Sequence, residues 1–325
     1  MKSKLIKIGI AIFSLLLFTT ILFFGYLITV LNCGRVIGSR VSFDKENNIL
    51  SVNDNEAIRI LQLSDTQICG LGDALKSMDK IKLIIEKADP DLIFLTGDNL
   101  MNDSKRHMLK KYVRFFDSFD IPWAPVMGNH DYYTKLSMEE YSSRFEGGEY
   151  CLFEMGDVAN SYGNYYYTLE RNGEKQYSFI FMDNGNGFRN EHIAWYEDTI
   201  SKIADSNNGE ALPNWTMFHI PLVETYYAYF NAIDNDLEID GEKREGVSYL
   251  RKDAGLFDKA KELGTTRAMI YGHNHRNSFI CDYEGIKMCY GVKSSVASYH
   301  DRDLVGGCVY ILNADNTFTT SRVFV

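Results

Sequence analysis

Five short segments of this 325-residue chain end a hydrophobic run on side chains that ligate metals or move protons. Leu61-Gln62-Leu63-Ser64-Asp65-Thr66-Gln67 closes on a carboxylate and an amide, and Phe94-Leu95-Thr96-Gly97-Asp98-Asn99 on Gly-Asp-Asn. Pro125-Val126-Met127-Gly128-Asn129-His130-Asp131 supplies an amide, an imidazole and a carboxylate in succession. Thr216-Met217-Phe218-His219 ends on histidine, and Ile270-Tyr271-Gly272-His273-Asn274-His275 on two. A pair of metal ions needs a bridging carboxylate, oxygen and imidazole ligands, and a rigid frame to hold them. Strand ends supply such a frame, and glycines let the chain turn so that the next side chain enters a shared cleft.

Taken singly, each segment has an ordinary explanation. An Asp after Ser commonly caps a helix, and Gly-Asp-Asn commonly makes a turn. His219 alone reads as a core histidine, and His273 and His275 as surface residues. The conjunction is more specific, because four of the seven histidines fall in these segments and every segment follows an apolar run. His107, His192 and His300 read as surface or helix-end residues.

The elements that must position these groups alternate in the first half. Strands are expected at 58–63, 92–95 and 123–126, with helices at 74–87 and 104–116 between them. The second half reads as strands at 165–169, 177–182, 216–219, 268–271, 279–283, 287–290, 308–312 and 317–324. Turns such as Asn172-Gly173 and Asp315-Asn316 predict antiparallel hairpins there. With no repeat or linker after residue 57, the expectation is one mixed α/β domain over 57–325. Hydrophobic residues at 45% suffice for its core.

Residues 8–31 carry no charge and, as a helix, would span about 36 Å, more than the roughly 30 Å of a hydrocarbon core. No small-residue cleavage site follows, so the run reads as an uncleaved transmembrane anchor within residues 1–34. Lys2, Lys4 and Lys7 precede it, and Arg35 and Arg40 follow. That bias places the N-terminus in the cytoplasm and the rest outside. Residues 35–56 then read as a polar juxtamembrane stretch. The net charge of -10 becomes -10 - 3 = -13 once those lysines are set aside, which disfavours general binding to nucleic acid. The cysteines (Cys33, Cys69, Cys151, Cys281, Cys289 and Cys308) show no zinc-finger spacing. Cys281 and Cys289 flank a turn at Glu284-Gly285 and are either a disulfide or buried thiols.

The order Asp-x-Gln, Gly-Asp-Asn, Gly-Asn-His-Asp, a lone His and Gly-His-Asn-His resembles the calcineurin-like metallophosphoesterases over roughly 57–300. Phe218-His219-Ile220-Pro221-Leu222, Gly272-His273-Asn274-His275-Arg276-Asn277 and the stretch from Gly285 to Gly291 are similar to the purple-acid-phosphatase-like branch of plants and fungi. The resemblance implies two mixed β-sheets in a sandwich flanked by helices, with two divalent or trivalent ions (Mn, Fe, Zn or Mg) at the strand ends. It implies a first metal position held by Asp65, Asp98 and His275, and a second by Asp98, Asn129, His219 and His273. His130 becomes the non-ligand catalytic imidazole, oriented by Asp131 or Asp103. It further implies phosphoester hydrolysis of a phosphorylated small molecule, lipid or nucleotide, with hydroxide formed at the metals attacking phosphorus.

The chain departs from the pattern twice. Gln67 stands where the common motif has histidine, and an amide oxygen is a weaker ligand for the first position. Met101 stands where purple acid phosphatases carry their iron-binding tyrosine, so no coloured tyrosinate site is expected. A metal-poor, catalytically silent, membrane-tethered binding protein of the same fold, its metal occupancy lost through Gln67, is the competing expectation. A His-Asn-His nuclease is disfavoured, because both histidines end a single strand after glycine.

The aromatic run 224–230 reads as a buried cluster under a loop or as a substrate rim. Asn184-Gly185-Asn186-Gly187 reads as a flexible loop near the cleft.

Overall fold

The computed structural model describes residues 38–101 and 106–325. The apolar run 8–31, Cys33 and Asp103 lie outside the described residues, among which no helix is long and apolar enough to cross a membrane.

β3 (Ile58–Leu63) buries five of its six residues and β4 (Leu92–Leu95) all four, the pattern of strands covered on both faces. They run parallel with β5 (Trp123–Pro125). β12 (Gly306–Leu312) and β13 (Phe318–Phe324) join antiparallel, giving a five-stranded sheet of order β13-β12-β3-β4-β5. The larger sheet contains β1 (Ser42–Asp44), β2 (Ile49–Val52), β6 (Tyr165–Arg171), β7 (Glu174–Phe181), β8 (Asn214–Met217), β9 (Thr266–Tyr271), β10 (Ile280–Tyr283) and β11 (Ile286–Tyr290). Its order is β1-β2-β6-β7-β8-β9-β11-β10, with β7, β8, β9 and β11 mutually parallel. Both sheets are therefore mixed.

Aromatic rings fill the space between the sheets. Phe94 of β4 meets Phe179 and Phe181 of β7 edge-on at 5.1 Å in both pairs. Trp215 of β8 meets Tyr310 of β12 at 5.3 Å and Phe318 of β13 at 4.9 Å. Offset and edge-on rings bury large apolar area without steric conflict, so this seam fixes how the two sheets face each other. Helices cover the outside. α1 (Leu71–Ala88) lies on β12 and β13, and α2 (Arg106–Asp117) packs with α3 (Met138–Glu146). α4 (Asn190–Asp205) packs on α6 (Leu256–Leu263), α6 on β9, and α5 (Val223–Asp234) on β10.

Two expectations change, and one open alternative is decided. Residues 38–56 are part of the fold: β1 and β2 form a hairpin, and β2 pairs in parallel with β6, burying Leu50 and Val52. The alternation was too short to read as strands beside so many polar residues. The aromatic run 224–230 lies in a helix, α5, which turns Thr225, Ala228 and Ala232 inward and leaves Tyr226, Tyr227 and Phe230 exposed. Cys281 and Cys289 are free thiols. Cys281 sits opposite Met288 and Cys289 opposite Ile280, so the two sulfurs leave opposite faces of the hairpin and cannot bridge.

Candidate metal centre

Every parallel strand near the middle of either sheet ends at the same place. Asp65 follows β3, Asp98 follows β4, Asn129 follows β5, His219 follows β8, and His273 and His275 follow β9. The loops are stitched by backbone bonds: Asp65 N donates to Gly97 O (3.2 Å), Gln67 N to Asp98 O (2.8 Å) and Gly272 N to His219 O (3.0 Å). Two glycines permit the approach. A Cβ at Gly128 would lie 2.2 Å from the Asp98 nitrogen, and one at Gly272 would lie 1.8 Å from Ser64 Oγ. Asp65, Gln67, Asp98 and His273 hold φ of 52°, 45°, 51° and 77°, the left-handed region that side chains rarely adopt. Such conformations cluster where geometry serves function.

The side chains present lone pairs to one another. His219 is fully buried, and its Nδ1–H donates to the Thr96 carbonyl at 2.8 Å. Because a carbonyl only accepts, the neutral ring turns a bare Nε2 toward Asp98 Oδ1 (3.3 Å) and Asp65 Oδ1 (4.0 Å). His275 repeats the device: Nδ1–H donates to Tyr299 O at 2.9 Å and Nε2 faces Asp65 Oδ1 at 3.3 Å. His273 Nδ1 lies 3.3 Å from His219 Nε2. Asp65 Oδ1 and Asn129 Oδ1 are buried without any hydrogen-bond donor. Buried acceptors turned on one another are costly unless a cation or protons lie between them.

With no cation between them, the same acceptors draw a proton onto His219 instead. Burial opposes ionisation of Asp65, but His275, His219 and Lys293 hold it far below the usual carboxylate range. Burial likewise opposes charge on His219, yet Asp98 and Asp65 raise it to about 9. His273 is driven down to about 4 by burial and by the neighbouring His219. Asp65, Asp98 and His219 bring one ligand atom each within 4.8 Å of the others, a spacing suited to one ion.

Residues 58–277 match the calcineurin-like phosphoesterase family. The chain belongs to that family. Two proteins of Arabidopsis thaliana are similar over much of its length. One, named probable inactive purple acid phosphatase 14, is 26% identical over 321 residues, covering 82% of this chain and 76% of its own. Another, named probable inactive purple acid phosphatase 29, is 24% identical over 239 residues, covering 64% of this chain and 60% of its own. A dimetal phosphatase from Danio rerio shares the fold at 12% identity and a TM-score of 0.50, over 82% of this chain and 98% of that one. The α/β architecture of two mixed sheets is thus that of the calcineurin-like phosphoesterases, a family that works with paired metal ions.

Within this calcineurin-like centre, Gln67 arrives with the wrong atom for a ligand. Its Oε1 accepts from Lys293 Nζ at 3.1 Å, and its Nε2 donates to Asp98 Oδ2 at 3.0 Å. An ammonium can only donate, so the amide orientation is fixed. Lys293, fully buried, also donates to Asp65 O at 2.8 Å. Burial lowers it to about 8, against the pull of Asp65 and Asp98.

Asp131 takes a different role from the one expected. Its carboxylate accepts from Asn99 N (3.2 Å), Asn99 Nδ2 (3.0 Å), Gly128 N (2.9 Å), Leu100 N (3.0 Å) and Tyr141 Oη (2.6 Å). It ties the loops after β4 and β5 together and has no acceptor position left to steer His130. His130 instead stands at the cleft edge, Nε2 3.8 Å from Asp98 Oδ2, with its backbone N–H donating to Asp98 Oδ1 at 2.8 Å. The cleft holds about 310 Å³ and is lined by His130, His273, His275, Glu245, Ser248 and Tyr299.

Sequence reasoning missed Lys293, Asn184 and Tyr299. Lys293 was legible only as a lysine just beyond the apolar strand β11. Asn184, in the loop expected to be flexible, is buried and accepts from His219 N (3.2 Å) and Ile220 N (3.0 Å). Tyr299 stacks on the His275 ring at 4.1 Å. His192, expected at the surface or at a helix end, lies at the start of α4, buried and bonded to Ser161.

Proposed function

We propose that this chain hydrolyses phosphoesters with metal ions held by Asp65, Asp98, Asn129, His219, His273 and His275. The observation that carries the reading is the set of buried, mutually facing acceptors, with Asp65 Oδ1 and Asn129 Oδ1 unpartnered. A bound ion pair would supply Lewis acidity for activating water and would neutralise charge developing on phosphoryl oxygens. The chain's own groups do the rest. The Thr96 and Tyr299 carbonyls hold His219 and His275 in the ligating tautomer. His130, partly exposed, protonates or hydrogen-bonds the leaving oxygen. The small cleft suits a phosphorylated small molecule or a lipid or nucleotide headgroup.

Anchoring belongs to the same proposal: residues 8–31 as a transmembrane helix, and the catalytic domain outside the cytoplasm. The uncharged run and its flanking lysines support it.

A second reading, a catalytically silent protein of this fold, is favoured by the capture of Gln67 by Lys293. One experiment separates them. Purified full-length chain in detergent is analysed for metal and assayed on an aryl phosphate before and after chelation. Chelatable hydrolysis supports the enzyme, and little bound metal without turnover supports the silent, metal-poor protein.

A further inference from the structure

The Gln67–Lys293 pair divides the centre into unequal halves. Lys293 is placed by backbone as well as by side chain. It forms a parallel bridge with Ser64, Ser294 N donates to Ser64 O at 2.9 Å, and Ser64 N donates to Ser294 Oγ at 2.9 Å. Gly306 N closes the other side on Lys293 O at 2.9 Å. The backbone of Lys293 therefore cannot shift without opening the junction between the two sheets. Its ammonium fixes Gln67 Oε1 away from the ligands, and the amide turned the other way places N–H on Asp98 Oδ2. A metal at the first position meets a donor where the common motif offers an acceptor. It also meets a buried positive charge, whose repulsion is little screened in a low-dielectric interior.

We propose that Lys293 sets the metal occupancy of this centre: by holding Gln67 as a hydrogen-bond donor, it keeps the first position weak and exchangeable while the second binds firmly. The first position keeps three donors, Asp65, Asp98 and His275. The second keeps four, Asp98, Asn129, His219 and His273. Lys293 is a positioning residue, acting on the ions through Gln67 and through its charge. The inference rests on the metal-centre reading above and deepens it.

The test is a Mn²⁺ and a Zn²⁺ titration of the full chain in detergent, following heat of binding and metal content, with thermal melting as a folding control. The wild type is expected to bind one ion firmly and a second about 10–100-fold more weakly, the range by which groups surrounding metal ligands change affinity. Lys293→Met, which keeps length and removes charge and donors, should tighten the weak class by a similar factor. Lys293→Met combined with Gln67→His should bring the two classes together. Two equally firm ions in the wild type would overturn the proposal without recourse to any variant. A folded Lys293→Met whose weak class is unchanged would overturn it as well. A wild type that binds no ion would instead defeat the metal-centre reading itself.

Discussion

The two halves of the centre are built from the same kind of strand end, yet their surroundings differ. On the second side, His219 is oriented by the Thr96 carbonyl and its backbone is carried by Asn184, while Asp131 clamps the loop bearing Asn129 to Asn99 and Leu100. Every support there leaves a lone pair turned inward. On the first side, His275 is oriented by Tyr299, but Lys293 holds the Gln67 oxygen so that the amide N–H meets Asp98. Ligand identity read along the sequence therefore does not decide ligand function. In the proposed centre, the group behind a side chain decides which of its atoms would face an ion.

The comparison breaks most completely at the residue both halves share. Asp98→Asn should lower metal affinity at both positions by more than the roughly 10–100-fold typical of supporting groups, and abolish hydrolysis. Circular dichroism would show the fold intact, and full activity in a folded variant would remove Asp98 from the centre. Next in size, His273→Ala and His275→Ala should separate the halves. The first variant should lose the firm ion and the second only the weak one, as read by metal content after gel filtration. Equal losses would mean the halves are not distinct. Asp131→Asn should weaken the scaffold of the second side, because an amide leaves backbone donors of Asn99 or Leu100 unmet. The expected cost is about 2–3 kcal/mol in urea unfolding, with the firm ion loosened in parallel. Unchanged stability would show that the carboxylate is not the clamp. The smallest effect is expected from deleting residues 1–37. Every residue of both halves lies at or beyond Asp65, so occupancy and activity should be unchanged while membrane association is lost. An active, metal-loaded truncated protein still bound to membranes would contradict the anchor.

Much of the frame was legible because strands buried on both faces write continuous apolar runs. β4 was expected at its observed bounds, and the hairpins at Asn172-Gly173 and Glu284-Gly285 form where turn residues predict them. The glycines and left-handed aspartates also point to strand ends that turn into a cleft. What escaped depends on distance along the chain. Gln67 owes its orientation to a lysine 226 residues away, and no local pattern announces that contact. Asp131 looked like the partner of adjacent His130, but donors from a loop some thirty residues earlier claim its oxygens. α5 hid among aromatics because its inward face is made of threonine and alanine, which mark no stripe. The same limit applies to β2, whose neighbour in the sheet, β6, lies more than a hundred residues later.

The asymmetry of the centre is tested most directly by electron paramagnetic resonance of the chelated full chain while Mn²⁺ is added back. At one ion per chain the account predicts the signal of an isolated, uncoupled ion, with the spectrum of an exchange-coupled pair emerging only at excess metal. A coupled-pair spectrum already dominant at one ion per chain would show that the two positions fill together, and would contradict it.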